Sequence, residues 1–223
     1  MFNCLCINDL FALQRYKNFW TFLLFSLCFK ALSSIYLQVG NFSNIDTMKI
    51  AVFCSANNDI DAGYFQLAEA FGTWMGRNGH TLVYGGQDRG LMRCVGQAVH
   101  AAGGMLIGVI PQILVNSGQR PDYLDVEIPC DNLSDRKDLM LAQADACVAL
   151  PGGIGTLDEI FSIAASNNIG YHDKKVVLYN MSGFWDKTIA MLDDMQQRNF
   201  IRGRWTDYIQ VADNLDDLQK LLV

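Results

Sequence analysis

The sequence lacks several patterns that would point directly to a function. Its seven cysteines form no Cys-x-x-Cys pair, and no histidine has the spacing of a zinc ligand, so no zinc site is indicated. The net charge of −6 argues against broad electrostatic binding of nucleic acid. No Gly-x-Gly-x-x-Gly follows the first predicted strand, and no acidic residue has ribose-binding spacing, so a dinucleotide cofactor is not expected. Repeats, low-complexity segments and internal linkers are also missing.

The first 47 residues differ from the rest because residues 19–29 form a strongly apolar run. This run is shorter than the roughly 20 residues of a membrane span and ends at Lys30. It has the length of the hydrophobic region of a signal peptide. We favour a third interpretation, in which translation starts at Met48 and the upstream residues come from an over-extended reading frame. The expected organisation is an N-terminal extension, residues 1–47, followed by a single domain, residues 48–223.

From Met48 onward the hydrophobic pattern alternates between strands and helices, which predicts an α/β fold with a parallel sheet and helices on both faces. The predicted strands are residues 50–54, 81–84, 105–110, 124–128, 146–150, 175–179 and 208–211. The predicted helices are residues 61–77, 91–102, 136–143, 156–167, 184–198 and 213–222. Weak alternation in residues 124–128 suggests an edge strand, and Asp213 is the expected cap of the last helix. The four cysteines beyond residue 47 are spaced as single thiols, which fits a reducing compartment and a cytoplasmic location.

The most informative segment is residues 151–159, PGGIGTLDE, between a predicted strand and a predicted helix. Glycines let the backbone approach a phosphate, and the unpaired N–H groups of the first helical turn point at it. Thr156 could cap this helix or donate to the same phosphate oxygens. Glu159 would lie about one turn into the helix, near the pocket floor. A carboxylate beside a phosphate-binding turn indicates chemistry rather than binding alone, because like charges repel.

Other segments are expected at the same edge of the sheet. Ligands of parallel α/β sheets bind outside the carboxyl ends of the strands, where residues 55–58 and 85–92 follow the first two strands. The second of these loops contains Gly85 and Gly86, a pair that alone often marks only a turn. Arg136-Lys137, just before the motif strand, would supply positive charge for an anionic small molecule, although such a pair can also be a solvated helix face.

From Met48 to about Leu222 the chain resembles the Lonely Guy family, the cytokinin riboside 5′-monophosphate phosphoribohydrolases, often mislabelled lysine decarboxylases. The resemblance depends on residues 151–159, on Arg136-Lys137 with Met140, and on the segments 85–92 and 170–174. It implies a Rossmann-like, doubly wound fold and a homodimer or larger assembly of dimers. It further implies hydrolysis of the N-glycosidic bond of a nucleoside monophosphate, such as a cytokinin riboside monophosphate or AMP, without metal or organic cofactor.

The resemblance implies that Arg136 and Glu159 are catalytic. The residues that it implies for substrate or phosphate binding are Lys137, Gly152, Gly153, Ile154, Gly155, Thr156, Gly85 and Gly86. The chemistry of these residue types agrees, because cleavage of a C1′–N bond builds positive charge on the ribose, which a fixed carboxylate stabilises while it orients or deprotonates water. The planar guanidinium of Arg136 would hold phosphate or sugar oxygens and steer Glu159.

The chain also departs from the family pattern. Gln87 and Arg93 stand where glycines are usual, and residues 165–168 read ASNN where Thr-Trp-x-Gln is usual. The resulting wall is smaller and more polar, which puts the base preference in doubt and leaves open a non-catalytic nucleotide-binding or carrier protein. No lysine has a context that suggests a Schiff base with a pyridinium partner, so a pyridoxal-phosphate decarboxylase is not expected. The expected partner is a nucleoside monophosphate, with no nucleic acid and no membrane for the core domain.

Overall fold

The computed structural model of the protein describes residues 47–113 and 120–222. Apart from Thr47, the predicted N-terminal extension and its apolar run lie outside the described residues. Within the described ranges, no helix is long and apolar enough to cross a membrane.

One fully parallel sheet of seven strands organises the described residues, in the order β4-β3-β2-β1-β5-β6-β7. The strands are β1 Lys49–Phe53, β2 Thr81–Tyr84, β3 Met105–Pro111, β4 Val126–Cys130, β5 Ala146–Ala149, β6 Val176–Tyr179 and β7 Ile209–Ala212. The central strands consist of continuous apolar residues because helices cover both faces of the sheet. The predicted α/β, Rossmann-like, doubly wound sheet is therefore confirmed, as is the edge position of the fourth strand.

Six α-helices of the described residues pack on the two faces of the sheet. They are α1 Ala62–Arg77, α2 Gly90–Ala101, α3 Leu133–Gln143, α4 Ile154–Asn168, α5 Asp186–Gln197 and α6 Leu215–Leu222. One hydrophobic core contains Phe71, Leu91 and Leu218 of α1, α2 and α6. The other contains Met140, Ile160 and Leu192 of α3, α4 and α5. Each predicted helix is present, and the differences are confined to the ends.

The strand order reverses at β1. From β1 the chain moves outward through β2, β3 and β4, then returns to the other side of β1 with β5, β6 and β7. The connections that follow β1 and β5 therefore lead to helices on opposite faces, which opens a crevice at the carboxyl ends of these two strands. This crevice is where the loop after β1 and the glycine motif after β5 meet.

All six helices begin one to three residues from their predicted starts, and in three of them the residue at the cap explains the difference. The first is α4, which begins at Ile154 with Gly153 as N-cap, so Thr156 lies inside the first turn and does not cap the helix. In α3 the side chain of Asn132 accepts from two backbone N–H groups and moves the start to Leu133. The prediction for α6 was wrong about the cap: Asn214 accepts from the N–H of Asp217 at 2.9 Å. The predicted cap, Asp213, instead accepts from the side chain of Asn180.

Candidate active site

Backbone hydrogen bonds join the three loops that the sequence places at one edge. The N–H of Ser55, after β1, donates to the carbonyl of Pro151, after β5, at 3.0 Å. The N–H of Leu91, after β2, donates to the carbonyl of Ser55 at 2.9 Å. The N–H of Gly90 also donates to the side chain of Asn58 at 2.8 Å. The three loops thus form one continuous rim.

The loop after β2 requires glycine for conformation and for space. Gly86 has φ of +64° and Gly90 has φ of +57°, a region that residues with a side chain rarely adopt. Gly85 lies directly against the guanidinium of Arg136, so that a Cβ at this position would overlap its Nη2 and Cζ atoms. Gly85 therefore makes room for Arg136, whereas Gly86 and Gly90 provide the backbone conformation of the turn.

Arg136 is held at one end of its guanidinium and free at the other. The backbone N–H of Arg136 donates to the carbonyl of Asn132 within the first turn of α3. The side chain is 8% exposed, and its Nε donates to the carbonyl of Val109 in β3 at 3.2 Å. Its Nη2 is buried and has no hydrogen-bond partner among the described residues. A buried, always charged donor without a partner is costly, so this atom is suited to an anionic or oxygen-rich ligand.

Glu159 lies in the second turn of α4 and is also 8% exposed. Burial raises the pKa of its carboxyl group to about 7, and the neighbouring Asp158 adds to this increase. Arg136 and Lys137 act in the opposite direction but do not offset the burial. A carboxyl group with this pKa exchanges a proton readily near neutral pH, as a general acid or base must.

The N-terminus of α4 is open. A Cβ on Gly153 or Gly155 would meet no atom within 4 Å, and no side chain caps the helix. By contrast, a Cβ on Gly152 would overlap the buried side chain of Thr156. Only Gly152 is thus required by the packing of the chain, whereas the two open glycines leave the backbone N–H groups accessible to an anion. Ile154, between them, is 88% exposed.

Lys137 is bound to α4. Its Nζ lies 2.8 Å from both carboxylate oxygens of Asp158 and 2.9 Å from Oγ of Ser162. These three contacts match the three N–H donors of an ammonium group. The substrate contact implied for Lys137 by the family resemblance stays a prediction.

Three residues near the site were not predicted from the sequence. Cys54, directly after β1, is buried. Burial raises the pKa of its thiol most, and the nearby Glu159 raises it further. Its place after a central strand could have indicated this proximity. Asp158 and Ser162 bind Lys137, and their i, i+4 spacing places them on one side of α4. No pattern in the sequence shows that this side faces Lys137.

The fold and site define a Rossmann-like α/β protein with an open helix N-terminus, a buried carboxyl group and a partly free arginine. The profile of the family described as "Possible lysine decarboxylase" matches residues 92–222. A cytokinin riboside 5′-monophosphate phosphoribohydrolase from Mycobacterium tuberculosis is 34% identical over 75% of this chain and 89% of its own. Another, from Arabidopsis thaliana, is 32% identical over 78% of this chain and 82% of its own. The chain belongs to this family, and the resemblance to the Lonely Guy proteins is confirmed.

Solved structures are similar in fold at lower identity. The molybdenum cofactor binding protein of Rippkaea orientalis matches with a TM-score of 0.60 and 20% identity, over 80% of this chain and 96% of its own. The Moco carrier protein of Chlamydomonas reinhardtii matches with a TM-score of 0.60 and 22% identity, over 79% of this chain and 95% of its own. At this identity, the two likenesses establish a shared fold.

Proposed function

We propose that the protein is an N-glycosidase that hydrolyses a nucleoside 5′-monophosphate to a free base and ribose 5-phosphate. The curated relatives carry the name of a phosphoribohydrolase, which supports an enzyme acting on a nucleotide. The observation that carries the proposal is the burial of Glu159 one turn beyond an open helix N-terminus. A binding protein for phosphate gains nothing from a buried carboxylate at this point, because the two charges repel.

The substrate would bind with its 5′-phosphate on the first turn of α4. The open positions at Gly153 and Gly155 and the uncapped N–H groups support this placement. Binding energy from the phosphate would then hold the C1′ atom over the carboxylate of Glu159. The free Nη2 of Arg136 would donate to a phosphate or sugar oxygen.

In the reaction, the C1′–N bond breaks with its electron pair leaving on the base, and positive charge develops on the ribose ring. Ionised Glu159 stabilises this charge and accepts a proton from the water that attacks C1′. The proton can later reach the departing base, so that the products are neutral base and ribose 5-phosphate. A pKa of about 7 fits both accepting and returning a proton near neutral pH.

The site does not fit the decarboxylase that the family description suggests. A Schiff base with pyridoxal phosphate requires a lysine whose amine can lose its proton. The lysine beside this site, Lys137, is held between both oxygens of Asp158 and the hydroxyl of Ser162, which favours the charged ammonium form.

The test compares the wild type with Glu159→Gln, using AMP and an N6-prenyl analogue and detecting free base by chromatography. The variant should lose about 10²- to 10⁴-fold in kcat, the range for removing a general acid or base, while its affinity for ribose 5-phosphate is kept. A carrier protein would instead bind AMP without releasing base, and the substitution would change its affinity little. If the wild type releases no base from a broad panel of nucleoside monophosphates, the proposal is wrong.

We further propose a cytoplasmic homodimer. Large apolar side chains are exposed at the start of α3 and α4, where Leu133 is 64% and Ile154 is 88% exposed. Homodimer interfaces have an apolar core, and both residues lie on the helices that carry Arg136 and Glu159. Light scattering should give twice the monomer mass, and Ile154→Glu should lower it. A monomeric wild type at micromolar concentration would contradict this assignment.

A further inference from the structure

An ion pair between α3 and α4 lies directly beside the candidate catalytic residues. Lys137, which follows Arg136, binds Asp158, which precedes Glu159. The hydroxyl of Ser162, one turn further along α4, completes the group at 2.9 Å from Nζ of Lys137. We call Lys137, Asp158 and Ser162 the α3–α4 brace.

We propose that the α3–α4 brace positions the catalytic residues by fixing the spacing between Arg136 and Glu159. The three N–H donors of Lys137 are used within the brace, so none is left for the substrate. This inference rests on the proposed function. It assigns to Lys137 a role different from the substrate contact that the resemblance implies.

The geometry supports this role in two ways. Lys137 and Asp158 are each adjacent in sequence to a catalytic candidate, so a shift of either helix at the brace also moves Arg136 or Glu159. The side chain of Lys137 is 22% exposed and that of Asp158 is 51% exposed, so the pair is partly shielded from solvent and is screened less than a fully solvated pair. A direct ion pair between Arg136 and Glu159 is not found in the described part of the structure, so the brace is the polar link between the two helices at this level.

The brace also balances charge near Glu159. Besides burial, which raises the pKa of Glu159 most, four groups influence the site: Arg136 lowers this pKa, Asp158 raises it, Lys137 lowers it, and the buried thiol of Cys54 lies close by. Removal of only one brace residue therefore changes both the geometry and the charge. Removal of Lys137 and Asp158 together leaves the net charge of the site unchanged, so the double variant shows the geometric effect with a smaller change in charge than either single variant.

The experiment is a double-mutant cycle with Lys137→Met, Asp158→Asn and both together, assayed with AMP. Each single variant should lower kcat by about tenfold or more while KM changes by less than about threefold, because misplacement affects the transition state most. The double variant should lose no more than the worse single variant, and Lys137→Arg should restore most of the rate. Lys220→Met is the matched control, because Lys220 forms an exposed pair with Asp217 on α6. It should leave kcat unchanged.

Opposite results would overturn the inference. If Lys137→Met raises KM for AMP at unchanged kcat, and Asp158→Asn has no effect, then Lys137 contacts the phosphate and is not a brace.

Two further measurements need no turnover and so separate a failure of the brace from a failure of the proposed function. Urea unfolding of the same four proteins should show a coupling of about fivefold in the unfolding equilibrium constant, and no coupling would exclude the brace. The chain has only three glutamates, so the Glu159 carboxyl can be followed by ¹³C NMR and identified with Glu159→Gln. In the charge-balanced double variant its pKa should move by about 0.5 or more, since the spacing to Arg136 changes. An unmoved pKa would show that the brace positions nothing.

Discussion

Burial of Glu159 predicts that the enzyme is less stable than it would be without this carboxylate. Folding raises the pKa of the group from its ordinary 4.5 to about 7. The folded state therefore holds a proton more tightly than the unfolded state, so the stabilising effect of the protonated form is present below pH 4.5 and is lost as the pH rises through 7. At about 1.36 kcal/mol for each pKa unit, the full cost above pH 7 is about 3 kcal/mol.

The variant Glu159→Gln removes this cost because its side chain stays neutral at every pH. Relative to the wild type, it should gain about 2–3 kcal/mol more in unfolding free energy at pH 8 than at pH 5. Urea unfolding at the two pH values, followed by tryptophan fluorescence, measures the difference. The comparison across pH also cancels any constant cost of burying the amide. Glu69→Gln, on the exposed side of α1, is the control for the effect of a Glu→Gln change at a solvated position.

The reasoning would be refuted if the stability difference between Glu159→Gln and the wild type were the same at pH 5 and pH 8. This result would mean that the carboxyl group is not desolvated by folding. The role of Glu159 as an acid or base near neutral pH would then lose its physical basis. If the stability gain appears together with loss of base release, the carboxylate is retained for catalysis at the expense of stability.

Three other predictions concern the site and the core. The value of kcat/KM should fall below about pH 7, where Glu159 becomes protonated. Initial rates measured across a range of pH should show this decrease in the wild type but not in Glu159→Gln. Gly152→Ala should destabilise the protein by about 1–3 kcal/mol because its methyl group meets Thr156. Gly153 has open space around it, so Gly153→Ala should keep the stability and instead weaken binding of ribose 5-phosphate, which calorimetry can measure. If Gly152→Ala and Gly153→Ala changed the stability equally, the different roles given to these two glycines would be contradicted. His80 is buried and accepts a hydrogen bond from the N–H of Met48, and burial lowers the pKa of its imidazole. The neutral imidazole therefore stabilises the folded state above pH 6.5, and the melting temperature should fall as the pH drops further and the ring becomes protonated. His80→Phe should lack this loss.

Much of the fold could be predicted because the strands are short apolar runs bounded by polar residues or glycine. Strand β2, Thr81–Tyr84, matches its prediction at both ends, since Gly79 precedes it and Gly85 follows it. The starts of α3 and α6 could not be placed as well, because they depend on whether Asn132 or Asn214 turns its side chain toward the following N–H groups. Several polar residues near each start could have done this, and propensity does not distinguish them.

The candidate site could be predicted only in outline. Parallel strands bring their carboxyl ends to one edge, so the meeting of the three loops follows from the order of elements alone. The direction of individual side chains does not. Arg136 reaches the carbonyl of Val109 in β3, and its neighbour Lys137 turns to Asp158, although the two look alike in the sequence. These contacts depend on how α3 and α4 pack against each other, which no local pattern specifies.

Main-chain atoms connect the rim of the site, from Pro151 through Ser55 to Leu91. Such links do not depend on which side chains the loops carry. A rim residue such as Gln87 can therefore be exchanged without loss of these main-chain links. New substrate preferences can arise in this scaffold by changes at the entrance alone, while the chemistry beneath stays the same.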